Sequence, residues 1–178
     1  EELKKKIEEN DWKDLLVYED IHPGDYTFNP PGLIHGLEAD DVMCEVQQSS
    51  DTTYRIYDYD RLFDGKPRQL HVKQALEVTS VPSSKTEVHA VKEENNGNTI
   101  IHYIDNEFFK ITRYQVKNEV TGKNPKYSLL VVFDGNGILE TEHESYPIHA
   151  GMGIVVTSLS SEYTIKGDVD VLSSETGF

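Results

Sequence analysis

The chain has 178 residues and a mass of 20.3 kDa, enough for one substantial core or two small ones. Its 32 Asp and Glu against 17 Lys and Arg give a formal net charge of -15, which repels phosphate backbones and argues against nucleic acid as a partner. Mean hydropathy is -0.56 and no apolar run approaches the roughly 20 residues of a helical membrane span, so no membrane partner is expected.

Cys44 is the single cysteine, so neither an intramolecular disulfide nor a thiolate zinc cluster can be built from this chain, which fits a reducing, cytoplasmic setting. The first residues, Glu1-Glu2-Leu3-Lys4-Lys5-Lys6, contain no apolar signal segment and no initiator Met, from which a boundary of a longer protein is expected here.

Glu2 to Glu9 carries Leu3 and Ile7 at i, i+4 among charges, the pattern of a short helix with a narrow apolar stripe. From Leu15 the chain turns to short runs of Val, Ile, Tyr, Phe and Thr punctuated by Gly, Pro, Asn and Asp. Strands are predicted at Leu15 to Tyr18, Tyr26 to Phe28, Val42 to Gln47 and Thr53 to Tyr57. Between Arg61 and Ser84 the strand pattern lapses, and Val72, Ala75 and Leu76 at helical spacing predict a short helix, with a domain boundary near residue 80.

Further strands are predicted at Thr99 to Ile104, Phe108 to Val116, Tyr127 to Phe133, Ile138 to Thr141, Ile154 to Thr157, Tyr163 to Ile165 and Val169 to Leu172. Asp134-Gly135-Asn136-Gly137 reads as a hairpin turn, because Asn and Gly accept positive φ. Glu93 to Asn98 reads as a polar loop. The whole pattern is that of an all-β sandwich or barrel.

Chemistry is concentrated in Gly24-Asp25-Tyr26-Thr27-Phe28-Asn29-Pro30-Pro31-Gly32-Leu33-Ile34-His35. Two prolines stiffen a turn, Gly32 permits a conformation that a Cβ would forbid, and His35 is presented from a rigid edge. Such preorganisation suits a metal ligand. The same letters also describe a Pro-Gly turn followed by a structural His. Downstream, Val42 to Gln47 alternates so that Met43, Glu45 and Gln47 share one strand face.

The Gly24, Pro30, Gly32 and His35 spacing resembles the second cupin motif, with Ala39 where that motif has Asn. Glu45-Val46-Gln47-Gln48-Ser49-Ser50-Asp51-Thr52-Thr53-Tyr54-Arg55 resembles the signature of type I mannose-6-phosphate isomerases of bacilli, and Arg68-Gln69-Leu70-His71 resembles the stretch that follows it. The resemblance is close over about residues 15 to 80 and loose beyond.

It implies a cupin-type jelly roll, with residues 1–80 the second half of a catalytic barrel and 81–178 a second, metal-free, jelly-roll-like β domain that packs or covers. It implies one Zn2+ held in part by His35, and Arg55, Glu45 and Asp51 as active-site residues for interconverting mannose 6-phosphate and fructose 6-phosphate. Arg55 would stabilise enediolate charge or bind phosphate, and Glu45 would act as acid or base.

The family's upstream His and Glu ligands have no counterpart in the 23 residues before Gly24, so the isolated chain is expected to be an inactive fragment. The alternatives are a non-enzymatic module that binds a sugar phosphate or is structural, and a metal site completed by the N-terminal segment or a second copy.

Each candidate also has an ordinary structural reading. Asp51-Thr52 is an Asx-type turn sequence, Arg55 fits a solvated strand face, and Glu45 fits a polar lumen. His22, His71, His89, His102, His143 and His149 lack ligand spacing and read as structural. In the second half the cupin frame starting at Gly153 falls on Leu159, Ser161 and Thr164, so no ligand is expected there.

Overall fold

In the computed structural model, residues 1–13, 15–83 and 88–177 are described, and the chain divides into two compact units, Glu1–Glu87 and Val88–Phe178.

The first unit opens with helix α1 (Glu2–Glu8), which buries Ile7 and carries Lys4–Glu8 and Lys5–Glu9 pairs along its solvent face. Trp12 follows and stacks on Tyr57, their ring centroids 5.2 Å apart. The four strands predicted between Leu15 and Tyr57 are not formed. β-branched and aromatic residues favour an extended backbone, but a strand also needs a neighbour to complete its ladder. Among the described residues these segments have none.

What forms instead is a hairpin of β1 (Leu62–Phe63) and β2 (Lys66–Pro67), where the sequence pattern shows no strand. Its signal is Asp64-Gly65, with φ of 55° and 74°, the positive values that a two-residue hairpin turn requires. Helix α2 (Val72–Val78) lies where the Val72, Ala75, Leu76 spacing places it, buries Ala75 and ends as Thr79 donates its hydroxyl to the Ala75 carbonyl at 2.7 Å.

The second unit is an antiparallel β fold of eight strands: β3 (Val91–Asn95), β4 (Asn98–Asp105), β5 (Phe109–Val116), β6 (Glu119–Lys123), β7 (Ser128–Glu140), β8 (Ser145–His149), β9 (Gly153–Val156) and β10 (Glu162–Thr176). They order as β3-β4-β5-β10-β7-β8, with β6 paired to β10 and β9 to β7. Strand β10 is the hub. Its first part pairs with β6, its second with β5, and its opposite edge with β7 along nearly its whole length. Tyr163, Ile165, Val169, Val171 and Ser173 alternate toward the core, and Ile165 and Val171 are fully sealed. Burial of each such aliphatic side chain stabilises the fold by about 1.5–3 kcal/mol.

Three local expectations change here. Asp134 to Gly137 is not a turn but the middle of β7, and the strands predicted on either side of it are one. A Cβ at Gly135 would lie 2.1 Å from the Asp168 carbonyl oxygen, and one at Gly137 would lie 2.3 Å from that of Lys166. The glycines therefore let β10 cross closely at a register shift beside Asp170 and Val171. Likewise Tyr163 to Ile165 and Val169 to Leu172 merge into β10. The Glu93 to Asn98 stretch is the end of β3, a tight turn at Asn96 (φ 50°) and Gly97 (φ 78°), and the start of β4.

Candidate functional site

The candidate residues all lie in the first unit. Pro30-Pro31-Gly32-Leu33 closes a type II turn, the Leu33 N–H donating to the Pro30 carbonyl at 3.2 Å and Gly32 taking φ of 87°. A Cβ on Gly32 would sit 2.7 Å from Ser80 Oγ and 2.8 Å from the Val78 carbonyl oxygen, and the Ser80 N–H donates to the Gly32 carbonyl at 3.0 Å. Only glycine fits both the conformation and the close approach to the end of α2.

His35 follows this fixed turn. Its Nδ1 lies 2.9 Å from the Leu33 carbonyl oxygen, which can only accept, so the proton sits on Nδ1 and the lone pair on exposed Nε2. A backbone carbonyl that fixes the tautomer in this way is what a metal-ligating imidazole commonly has.

A second segment carries Arg55. The His71 N–H donates to the Arg55 carbonyl at 2.6 Å, and the Arg55 N–H donates to His71 Nδ1 at 3.3 Å. The guanidinium is mostly enclosed, with Nη1 donating to the Gln69 carbonyl at 3.5 Å and Nε 3.7 Å from Asp58 Oδ1.

Asp58 is the polar centre of the segment and is only 7% exposed. It accepts from Arg61 Nη2 at 2.8 Å, from Arg68 Nε at 2.8 Å and from Arg68 Nη2. The Arg68 hydrogen bond, with a smaller contribution from Arg61, holds its carboxyl far below the usual carboxylate range against the opposing effect of burial. Three guanidinium groups thus face one carboxylate, a local cationic excess inside a chain of net charge -15.

Tyr59, next in sequence, donates its hydroxyl to the Leu37 carbonyl at 3.1 Å, which ties the His35 segment to the Arg55 segment. Tyr59 and Asp60 both have positive φ, 53° and 52°, in the turn closed by the Arg61 N–H donating to the Asp58 carbonyl at 3.0 Å. A bulky residue in this region is strained, so the surrounding bonds must hold it there.

Glu45 and Asp51 are both exposed. The expected strand face around Glu45 is absent, and Val42 beside it is 94% exposed. Among the described residues no hydrogen bond closes an Asx turn on the Asp51 carboxylate, and the local turn contact is instead the Thr52 N–H donating to Ser50 Oγ. Among the described residues no polar contact joins His35, Glu45, Asp51 and Arg55 to one another, and no group of three or more His, Cys, Asp or Glu side chains converges as metal donors. His35 therefore supplies one donor, where a zinc site uses three or four protein ligands.

The Asp58, Arg61 and Arg68 cluster was not singled out by the sequence patterns. Its signal is three arginines within the fourteen residues 55–68 of an acidic chain, interleaved with Asp58, Asp60 and Asp64.

Residues 99–176, which lie in the second unit, match the family model described as mannose-6-phosphate isomerase, cupin domain. The whole chain is similar to curated proteins. It is 33% identical to mannose-6-phosphate isomerase ManA of Bacillus subtilis over 98% of this chain and 56% of that protein. It is 29% identical to the mannose-6-phosphate isomerase of Streptococcus mutans over 98% of this chain and 55% of that protein. Among solved structures, the mannose 6-phosphate isomerase from Bacillus subtilis superimposes with a TM-score of 0.85 at 30% identity, covering 98% of this chain and 56% of that one. The chain spans about half the length of the curated relatives it matches.

Proposed function

We propose, from a chain related along its whole length to the cupin-type mannose-6-phosphate isomerases, that it forms part of an enzyme interconverting mannose 6-phosphate and fructose 6-phosphate. The observation that carries this reading is the structural match at a TM-score of 0.85 over 98% of the chain, which spans both the unit with the His35 motif and the β fold. In this reading the first unit is catalytic and the second is a metal-free β domain. The protein works in the cytoplasm on a small sugar phosphate.

The relatives imply a metal, and we assign it as zinc, with His35 Nε2 as the ligand from this chain. When bound, such a cation polarises sugar oxygens as a Lewis acid. Among the described residues no further pair of His, Cys, Asp or Glu donors converges with His35.

Arg55 supplies a permanent positive charge at a fixed place, because its main chain is clamped by His71 and its guanidinium by Gln69 and Asp58. That charge can receive either the developing enediolate or the sugar phosphate. Glu45 and Asp51 are free of competing ion pairs among the described residues, which leaves either carboxylate able to carry a proton between C1 and C2.

The test is a coupled assay of fructose 6-phosphate formation by the protein carrying this chain, with and without a chelator. Turnover that the chelator removes, that zinc restores and that Arg55→Ala lowers at least about 100-fold supports the reading. His35→Ala should lose both turnover and bound zinc. Binding of mannose 6-phosphate with no turnover at saturating zinc would overturn it in favour of a non-enzymatic sugar-phosphate module.

A further inference from the structure

Asp58 is enclosed, charged and central, yet neither the sequence motif nor the proposed chemistry uses it. A buried carboxylate is stable only when its charge is answered, and here Arg61 and Arg68 already answer it with three hydrogen bonds. Arg55 is a third cation on the same carboxylate, with Nε 3.7 Å from Oδ1, outside hydrogen-bonding range. Among the described residues its only direct guanidinium hydrogen bond is the 3.5 Å contact from Nη1 to the Gln69 carbonyl. Asp58 therefore attracts the Arg55 guanidinium and limits where it can go, while most of its hydrogen-bonding capacity is satisfied elsewhere. Arg55 keeps donors uncommitted and remains able to meet an anion.

The backbone around Asp58 strengthens this argument. Tyr59 and Asp60 hold left-handed conformations that non-glycine residues adopt at a cost. Two features hold them there: the Asp58 side chain gripped by Arg61 and Arg68, and the Tyr59 hydroxyl bonded to Leu37 just beyond His35. The strained turn thus connects the carboxylate under Arg55 to the segment carrying His35.

We propose that Asp58 is a positioning residue for Arg55, its carboxylate shared among three arginines so that Arg55 is aimed but not consumed. This rests on the reading of Arg55 as an active-site group. Removing the Asp58 charge would take away the attraction that aims Arg55 and loosen Arg68, whose guanidinium bonds both go to Asp58, leaving three guanidinium groups in mutual repulsion that shifts Arg55 from its place.

The experiment is a double-mutant cycle on turnover of mannose 6-phosphate by the protein carrying this chain, using Asp58→Asn, Arg55→Ala and the double variant. Asp58→Asn is expected to lower turnover about 10- to 100-fold, as misplacement of a catalytic group does. It should move kcat and KM in the same proportions as Arg55→Lys does. The double variant should fall no more than about 3-fold below Arg55→Ala alone, since Asp58 has nothing left to position.

Additive losses in the double variant, or a kcat and KM pattern unlike that of Arg55→Lys, would overturn the proposal while leaving Arg55 in its role. An Arg55→Ala variant with full activity would instead sink the reading of the site. If Asp58→Asn does not fold, Asp58→Glu carries the same cycle, since it keeps the charge and displaces it by one methylene. There non-additivity with Arg55→Ala supports the proposal and additivity overturns it.

Discussion

Arg55 and His71 hold each other through two hydrogen bonds, the His71 N–H on the Arg55 carbonyl and the Arg55 N–H on the His71 ring. Because Nδ1 accepts, the ring carries its proton on Nε2. His71 also stands immediately before α2, where its carbonyl accepts from the Ala75 N–H at 2.9 Å. The arginine is thereby referenced to a helix rather than to a loose loop.

His71→Ala should therefore release one of the two bonds fixing Arg55 while leaving α2 capped by its backbone. A loss in kcat of roughly 10-fold is expected, smaller than that of Arg55→Ala. Amide exchange at Arg55 should speed up, as read by hydrogen–deuterium exchange. Unchanged exchange at Arg55 would show that the ring contact does not order it.

The acid stability of the first unit should depend on Asp58. Its carboxyl is held far below its ordinary value of 3.8, chiefly by the Arg68 hydrogen bond, so the folded state binds this proton more weakly than the unfolded state does. The sign follows from linkage: the stabilisation is fully present above the unfolded value and is lost as the pH falls below it toward the folded value. Urea midpoints between about pH 5 and pH 2.5 should fall more steeply for the native chain than for Asp58→Asn. Parallel curves would show that Asp58 carries no such coupling.

The features legible from sequence are those whose cause is local. The Pro30-Pro31-Gly32 turn follows from fixed proline φ and a glycine that reaches 87°, and α1 and α2 follow from apolar spacing over two turns. Strands β4, β5 and β9 follow from their composition and the turn signals around them. The misread features have causes distant in the chain. Gly135 and Gly137 look like a turn because glycine permits one, yet what they answer is the approach of Asp168 and Lys166 on β10. Asp58 looks like one more acidic residue until Arg68, ten positions on, folds back onto it.

In the second unit the bidentate pair of Arg113 and Asp170 links β5 to β10, with Nε to Oδ1 at 2.8 Å and Nη2 to Oδ2 at 2.6 Å. Both side chains are 17% exposed, the Arg113 guanidinium lies 5.5 Å from the centre of the Phe133 ring, and Gln115 and Tyr103 add weaker contacts. Removing one partner leaves the other charge largely enclosed and uncompensated. Asp170→Ala should cost on the order of 3 kcal/mol, read by denaturant unfolding of the second unit. Replacing both residues by apolar ones should cost less than Asp170→Ala alone. The reverse order would mean that the pair contributes attraction well beyond what its desolvation costs.

Glu175, near the end of β10, shows the opposite linkage. Burial pushes its carboxyl above the ordinary value of 4.5, with the nearby Asp105 charge adding to the rise and Lys110 opposing it. The folded state therefore binds this proton more tightly than the unfolded state, and the ionised form costs stability at every pH above the folded value. That cost shrinks as the pH falls through the folded value and is gone below about 4.5. Glu175→Gln keeps the shape without the charge, so it should raise the melting temperature at neutral pH. The advantage over the native chain should close as melting is measured toward about pH 4. A variant that is less stable at neutral pH would show that the Lys110 attraction outweighs the burial of the carboxylate.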